Sequence, residues 1–101
     1  MKNNGWFLYV LKCSDSTFYT GITTDINRRI NEHNSSKKGA KYTRSRRPVE
    51  LVYWIDFSNR SIAQKAEYRF KKLTHKQKKG IINEKWRPSS AVGLRQKDSD
   101  A

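Results

Sequence analysis

Residues 8–33 read LYVLKCSDSTFYTGITTDINRRINEH, and their reading decides the fold. With Trp6 and Phe7 in front, the segment Trp6 to Cys13 (WFLYVLKC) is short and almost continuously apolar. Its aromatic and β-branched content predicts a buried strand rather than a helix. Ser14-Asp15-Ser16-Thr17 is a turn cluster. Phe18 to Thr23 (FYTGIT) predicts a second strand, and the short connection makes the pair an antiparallel hairpin. Gly21 weakens that strand by intrinsic preference, and a glycine there marks close approach of another backbone or a ligand. Thr24 or Asp25 then caps a helix, and Asp25 also suits the dipole at its start. Ile26, Ile30 and His33 form a narrow inward stripe. Arg29 and His33, four residues apart, stand one above the other beside it. The helix is expected to fray over Asn34-Ser35-Ser36.

Working outward, Lys37 to Pro48 (KKGAKYTRSRRP) is basic, with too few apolar positions for a packed element, and reads as a loop. Val49 to Phe57 alternates, with Val49, Leu51, Tyr53, Ile55 and Phe57 on one face, which predicts a third strand. Ser58 or Asn59 opens a second helix with Ile62, Ala66, Phe70 and Leu73 as its buried stripe. Thr74-His75-Lys76-Gln77 has the form of a capping box, which starts a third short helix running to about Asn83. Residues 1–83 thus form one domain, in the order strand, strand, helix, strand, helix, helix. The tail over 84–101 has few apolar residues, and its stretch from Arg87 lacks periodicity and is expected to be disordered.

The chain has 101 residues, enough for a single modest core. Twenty-two Lys and Arg face 9 Asp and Glu, a formal net charge of +13. Such an excess destabilises a compact state by self-repulsion and suits a polyanionic partner, nucleic acid first. The plain alternative is a solubilising or ribosome-like basic surface. Cys13 is the sole cysteine, so no disulfide forms within the chain, and it reads as a small buried hydrophobe rather than a nucleophile. The polar start carries no signal-peptide pattern, and no apolar run approaches the ~20 residues of a membrane helix. The expected location is the cytoplasm, with no membrane partner and a monomer as the default.

Four kinds of side chain stand out for chemistry, with a basic segment beside them. Glu67 is the only acid between Phe57 and Asn83, among many lysines and arginines. It reads either as an i,i+4 partner of Lys71 or as a metal ligand, since magnesium is often held by one or two carboxylates with phosphate and water completing the shell. A tyrosine is a poor base at neutral pH, with a reference pKa of ~10, unless positive charge or hydrogen bonding favours the phenolate. Arg29 can supply that push, and His33 can relay or accept the proton. Alternatively, Arg29 pairs with Asp25 and His33 is a satisfied, partly buried histidine. Lys41, Tyr42, Arg44, Arg46 and Arg47 can neutralise phosphates and stack on a base, or else form a solvated charged loop.

The order Leu8-Tyr9-Val10, Tyr19-Thr20-Gly21, Arg29, His33 and Glu67 resembles the GIY-YIG nuclease superfamily, named for its two triplets. The stretches Tyr19 to Asp25, Arg28 to Asn34, Ala40 to Thr43 and Arg47 to Val52 are similar to its small stand-alone bacterial members. Leu8, Val10 and Thr20 depart from the name, but both tyrosines are kept. The resemblance implies an α/β (α+β) fold, a three-stranded antiparallel sheet flanked by helices in the order β-β-α-β-α-α. It also implies metal-dependent phosphodiester hydrolysis, with Mg2+ or Mn2+ as cofactor and DNA as the expected substrate. By family role Tyr9 is the general base, Tyr19 positions phosphate or water, and Arg29 stabilises charge on phosphorus. Glu67 holds the metal, and His33 bonds a tyrosine hydroxyl or the phosphate. Two readings follow. One is an endonuclease of weak sequence specificity, structure-selective or non-specific, of the kind used in DNA repair and processing. The other is a non-catalytic module on the same fold that binds DNA or RNA.

Overall fold

A computed structural model of the chain describes residues 5–85. The elements are β1 (Trp6–Lys12), β2 (Phe18–Thr23), α1 (Ile26–Ser35), α2 (Lys41–Arg44), β3 (Glu50–Phe57), α3 (Arg60–Lys71) and α4 (His75–Lys85). The apolar stretch becomes the middle strand of an antiparallel sheet ordered β2-β1-β3. Leu8, Tyr9, Val10 and Leu11 are each no more than 2% exposed, as a central strand covered on both faces requires. Leu8 and Val10 pack with Phe70 of α3 and Ile82 of α4, while Tyr9, Leu11 and Cys13 pack with Val49 on the opposite face.

Local signals set the helix starts. Asp25 caps α1 by accepting from the Arg28 N–H at 3.0 Å, and Asn59 caps α3 by accepting from the Ile62 N–H at 2.9 Å. At α4 the capping box closes in both directions, Thr74 N–H to Gln77 Oε1 at 2.9 Å and Gln77 N–H to Thr74 Oγ1 at 3.1 Å.

Four expectations are corrected. The basic segment is not all loop: Lys41–Arg44 form the single helical turn α2, with Thr43 fully buried. The alternation along β3 breaks where Val10 pairs with Tyr53 but Leu11 with Leu51, leaving Val52 as an extra residue. Such a bulge exchanges the faces of the strand. Val49 and Leu51 therefore join Tyr9, whereas Tyr53 and Phe57 join Leu8. On α3, Ile62 is 43% exposed and Ala63 is fully buried in its stead, while Ala66, Phe70 and Leu73 keep their expected places on the covered face. Helix α4 continues to Lys85, two residues past its expected end. The expectation for the remaining tail lies outside the described residues.

Candidate nuclease site

Tyr9 is the centre of the site. In register it faces Gly21 on β2, and a Cβ at Gly21 would lie 2.6 Å from the Tyr9 hydroxyl and 2.8 Å from Cζ. The glycine is therefore the space in which the phenol lies. The hydroxyl meets Nε2 of His33 at 2.8 Å. His33, on the inward stripe of α1, is fully buried. Its Nδ1 meets Thr43 Oγ1 at 2.8 Å, and the Ala40 N–H points at the same nitrogen across 3.4 Å. Tyr19 completes an aromatic cluster, its ring 5.0 Å from that of His33, 6.3 Å from Tyr9 and 6.0 Å from Tyr42.

Arg29 is held beside this cluster by donating from Nη1 to Glu32 Oε1 at 2.7 Å and to the Lys38 carbonyl at 2.8 Å. Its ion pair is with Glu32, while Asp25 caps the helix. Burial pushes the Tyr9 phenol up to about 12, and the neighbouring Tyr19 adds to the rise. Hydrogen bonding and charge from Arg29 pull it back, and the negative charge of Glu67 raises it again. Glu67, on α3, is thus within electrostatic reach of the Tyr9 phenol. Burial pulls His33 down to about 4, with Arg29 and Arg47 acting in the same direction and Glu32 opposing them. The imidazole is therefore neutral at pH 7.

The Glu67 carboxylate is also paired with Lys71 Nζ at 3.2 Å. The lysine side chain is 53% exposed, and such surface pairs are worth only ~0–1 kcal/mol. Among the described residues no three His, Cys, Asp or Glu side chains are grouped as a metal cage. The donor set is a single carboxylate, which fits a magnesium-type ion completed by water and substrate phosphate.

The basic segment separates into two kinds of residue. Lys41 and Arg44 are exposed. Tyr42 carries the Arg46 guanidinium at 3.9 Å, and Arg46 in turn donates from Nε to Asp15 at 3.0 Å and from Nη1 to the Tyr42 carbonyl at 2.8 Å. Arg47 has a different task from the one its charge suggests. Its guanidinium donates to the His33 carbonyl and, at 2.6 Å, to the Ser36 carbonyl, closing the end of α1. Those donors are not available to a phosphate.

Four contributors are not evident from charge or periodicity. Thr43 reaches His33 from inside the basic segment. Glu32 holds Arg29. Asn34 bonds the Val49 N–H at 2.8 Å and carbonyl at 3.0 Å, tying α1 to the start of β3. A Cβ at Gly39 would lie 2.7 Å from the Glu32 carbonyl oxygen, so the chain can turn back onto α1 only without a side chain there. The one legible signal is that Thr43, Glu32 and Asn34 lie inside the stretches that carry the resemblance, without an assigned task.

Comparison with known proteins agrees with this geometry. The GIY-YIG catalytic domain matches residues 5–80. A UPF0213 protein of Desulfotalea psychrophila is 53% identical over 87 residues, 86% of this chain and 79% of that one. The UPF0213 protein YazA of Bacillus subtilis is 49% identical over 92 residues, 91% and 92% of the two chains. The solution NMR structure of the protein EF2693 from E. faecalis is 40% identical, superposes with a TM-score of 0.58, and covers 98% of this chain and 100% of its own. Among the described residues no helix is long and apolar enough to cross a membrane. With two tyrosines, an arginine, a histidine and a glutamate at the spacings of the motif, and a matching sheet beneath them, this chain belongs to the GIY-YIG catalytic domain family.

Proposed function

We propose that this chain is a divalent-metal-dependent endonuclease that hydrolyses phosphodiester bonds in DNA with little sequence preference. The observation that carries the reading is the Tyr9 hydroxyl, bonded to His33 at 2.8 Å and acted on by the opposite charges of Arg29 and Glu67. In this reading Tyr9 takes the proton of the attacking water as its phenolate. Tyr19 positions water or phosphate from the rim of the aromatic cluster. The Arg29 guanidinium, anchored by Glu32, faces the charge that develops on the phosphoryl oxygens, where a preorganised donor is worth most. Glu67 would hold Mg2+ or Mn2+, which supplies Lewis-acid stabilisation of the leaving oxygen when bound. A phenol at about 12 is ionised in roughly one molecule in 10^5 at pH 7, so the rate should climb with pH through the neutral range. Lys41 and Arg44 contact the backbone, which positions the substrate without reading sequence and makes binding salt-sensitive. Repair or processing of branched DNA, in the cytoplasm, is the setting we propose.

The Glu67–Lys71 pair is the observation favouring a module that binds without cutting. One experiment separates the two readings. The protein is incubated with single-stranded, duplex and branched DNA and with RNA, in Mg2+ or Mn2+, beside Tyr9→Phe and Glu67→Ala. Products with wild type that both substitutions abolish support the nuclease. Retarded bands without products, the same in all three proteins, support the binding module.

A further inference from the structure

Tyr19 is held through its ring. It meets His33 edge-on with centroids 5.0 Å apart, and lies 29° from the plane of Tyr42 across 6.0 Å. Tyr42 stands on the single turn α2, and one helical turn is too short to fix a side chain by itself. The turn is tied instead to the connection between β1 and β2. Arg46, just past α2, donates from Nε to Asp15 Oδ2 at 3.0 Å, and its carbonyl accepts from the Ser14 N–H at 2.9 Å. Asp15 is fixed in its turn, where Oδ1 accepts from the Thr17 N–H at 3.1 Å and from the Thr17 hydroxyl at 2.6 Å. The anchored guanidinium donates from Nη1 to the Tyr42 carbonyl at 2.8 Å and lies 3.9 Å from the centre of the Tyr42 ring. A platform for stacked bases needs an open ring face. Tyr42 is 37% exposed, but a base can take the face under Arg46 only by displacing a cation that is already ion-paired.

We propose that Tyr42, pinned by Arg46 and Asp15, is a positioning residue that holds the Tyr19 ring against His33, and is not a stacking platform for nucleic acid. Asp15, Arg46, Tyr42 and Tyr19 form a column that starts in the turn between β1 and β2 and returns to β2, two strands whose register already sets Tyr9 opposite Gly21. The inference deepens the nuclease reading and rests on it for its consequence in catalysis. It takes Tyr42 and Arg46 out of the set expected to contact substrate, and it leaves the exposed Lys41 and Arg44 in that set. Asp15, an acid in a strongly basic chain, gains a task in the site without touching substrate.

The first part of the test needs neither DNA nor metal. In NOE spectra of the full chain, contacts between ring hydrogens should join Tyr19 to both Tyr42 and His33. Tyr42→Ala should weaken the Tyr19–His33 contacts, and Tyr42→Phe, which keeps the ring, should restore them. In cleavage assays on duplex and branched DNA with Mg2+, Tyr42→Ala should lower kcat by about 10-fold with KM changed by less than about two-fold, and Tyr42→Phe should recover most of the lost rate. Asp15→Ala should lower kcat by about 3-fold, although it removes a negative charge and by attraction alone would strengthen DNA binding. Unchanged Tyr19–His33 contacts in a folded Tyr42→Ala protein overturn the proposal. So does a raised KM with kcat unchanged in that variant, the mark of a stacking platform, or an Asp15→Ala protein that cuts at the wild-type rate. If the contacts behave as expected and no substrate is cut, the nuclease reading fails while the placement of Tyr19 by Tyr42 stands.

Discussion

Leu8 and Val10 leave β1 on one side, Tyr9 and Leu11 on the other, and the two sides are built on different physics. The Leu8 side is closed by Phe70, Ile82 and their half-buried neighbours. Its cohesion scales with apolar area, about 25 cal/mol per Å2, and has little directional demand. The Tyr9 side buries His33 and Thr43 completely, each tied to named atoms at 2.8 Å. There a lost partner leaves a buried polar group unsatisfied. One side should tolerate changes of shape at a cost in stability, and the other should lose function before it loses its fold.

The largest effect that sharpens this contrast is Phe70→Ala. Phe70 is 8% exposed and central to the apolar side, so truncation should cost about 3–4 kcal/mol in urea melts. Tyr9→Phe should cost about 1–2 kcal/mol in the same melts while removing cleavage. Equal losses of stability from the two would break the comparison.

A pH titration probes the polar side next. His33 is held near 4 against an ordinary value of 6.5. The unfolded chain then binds its proton first, so this stabilisation is complete above about 6.5 and disappears as pH falls towards about 4. The gap in unfolding free energy between wild type and His33→Gln should shrink by about 2–3 kcal/mol across that window. A gap that stays constant with pH would mean that His33 is not held neutral.

Gly21→Ala comes third. The new Cβ must push aside a ring that is 1% exposed and bonded to His33, which should cost about 1–2 kcal/mol by overpacking. Cleavage should fall more steeply than stability does, because the ring that moves is that of the proposed base. Full activity in a folded Gly21→Ala protein would show that the position of Tyr9 is not critical.

The smallest expected effect has the opposite sign. Thr20 is 3% exposed, and its Oγ1 is buried without a hydrogen-bond partner among the described residues. Thr20→Val keeps the shape and removes that hydroxyl, and should raise stability by about 1 kcal/mol with cleavage unchanged. A loss of stability would show that the hydroxyl is satisfied in solution.

The parts of the molecule legible in advance are those whose signal is local. Continuous apolar residues marked β1, the polar cluster Ser14–Thr17 marked the turn, and Asp25, Asn59 and the Thr74–Gln77 box marked the helix starts, because each satisfies its own nearby backbone groups. Gly21 could be read as a point of close approach, although not that the visitor is the ring of Tyr9. The partners of Arg47 and Thr43 could not be read. In a run of basic residues nothing local separates a guanidinium that will close a helix end from one left to solvent, or a threonine that will be buried from one that will not. The bulge at Val52 is of the same kind, since it exists only in the pairing of β3 with β1.

The amino-acid order by itself determined the three strands, three of the four helices, their sequence and the candidate site residues, because periodicity, caps and motif spacing are properties of neighbours along the chain. Tertiary structure alone decided which of those side chains share a hydrogen bond, which cations remain exposed to solvent, and which nitrogen of His33 faces Tyr9. The physical reason is that direction and burial belong to pairs of segments. Residue 33 comes within 2.8 Å of residue 9 on one side and residue 43 on the other only after the sheet and both helices have closed around it.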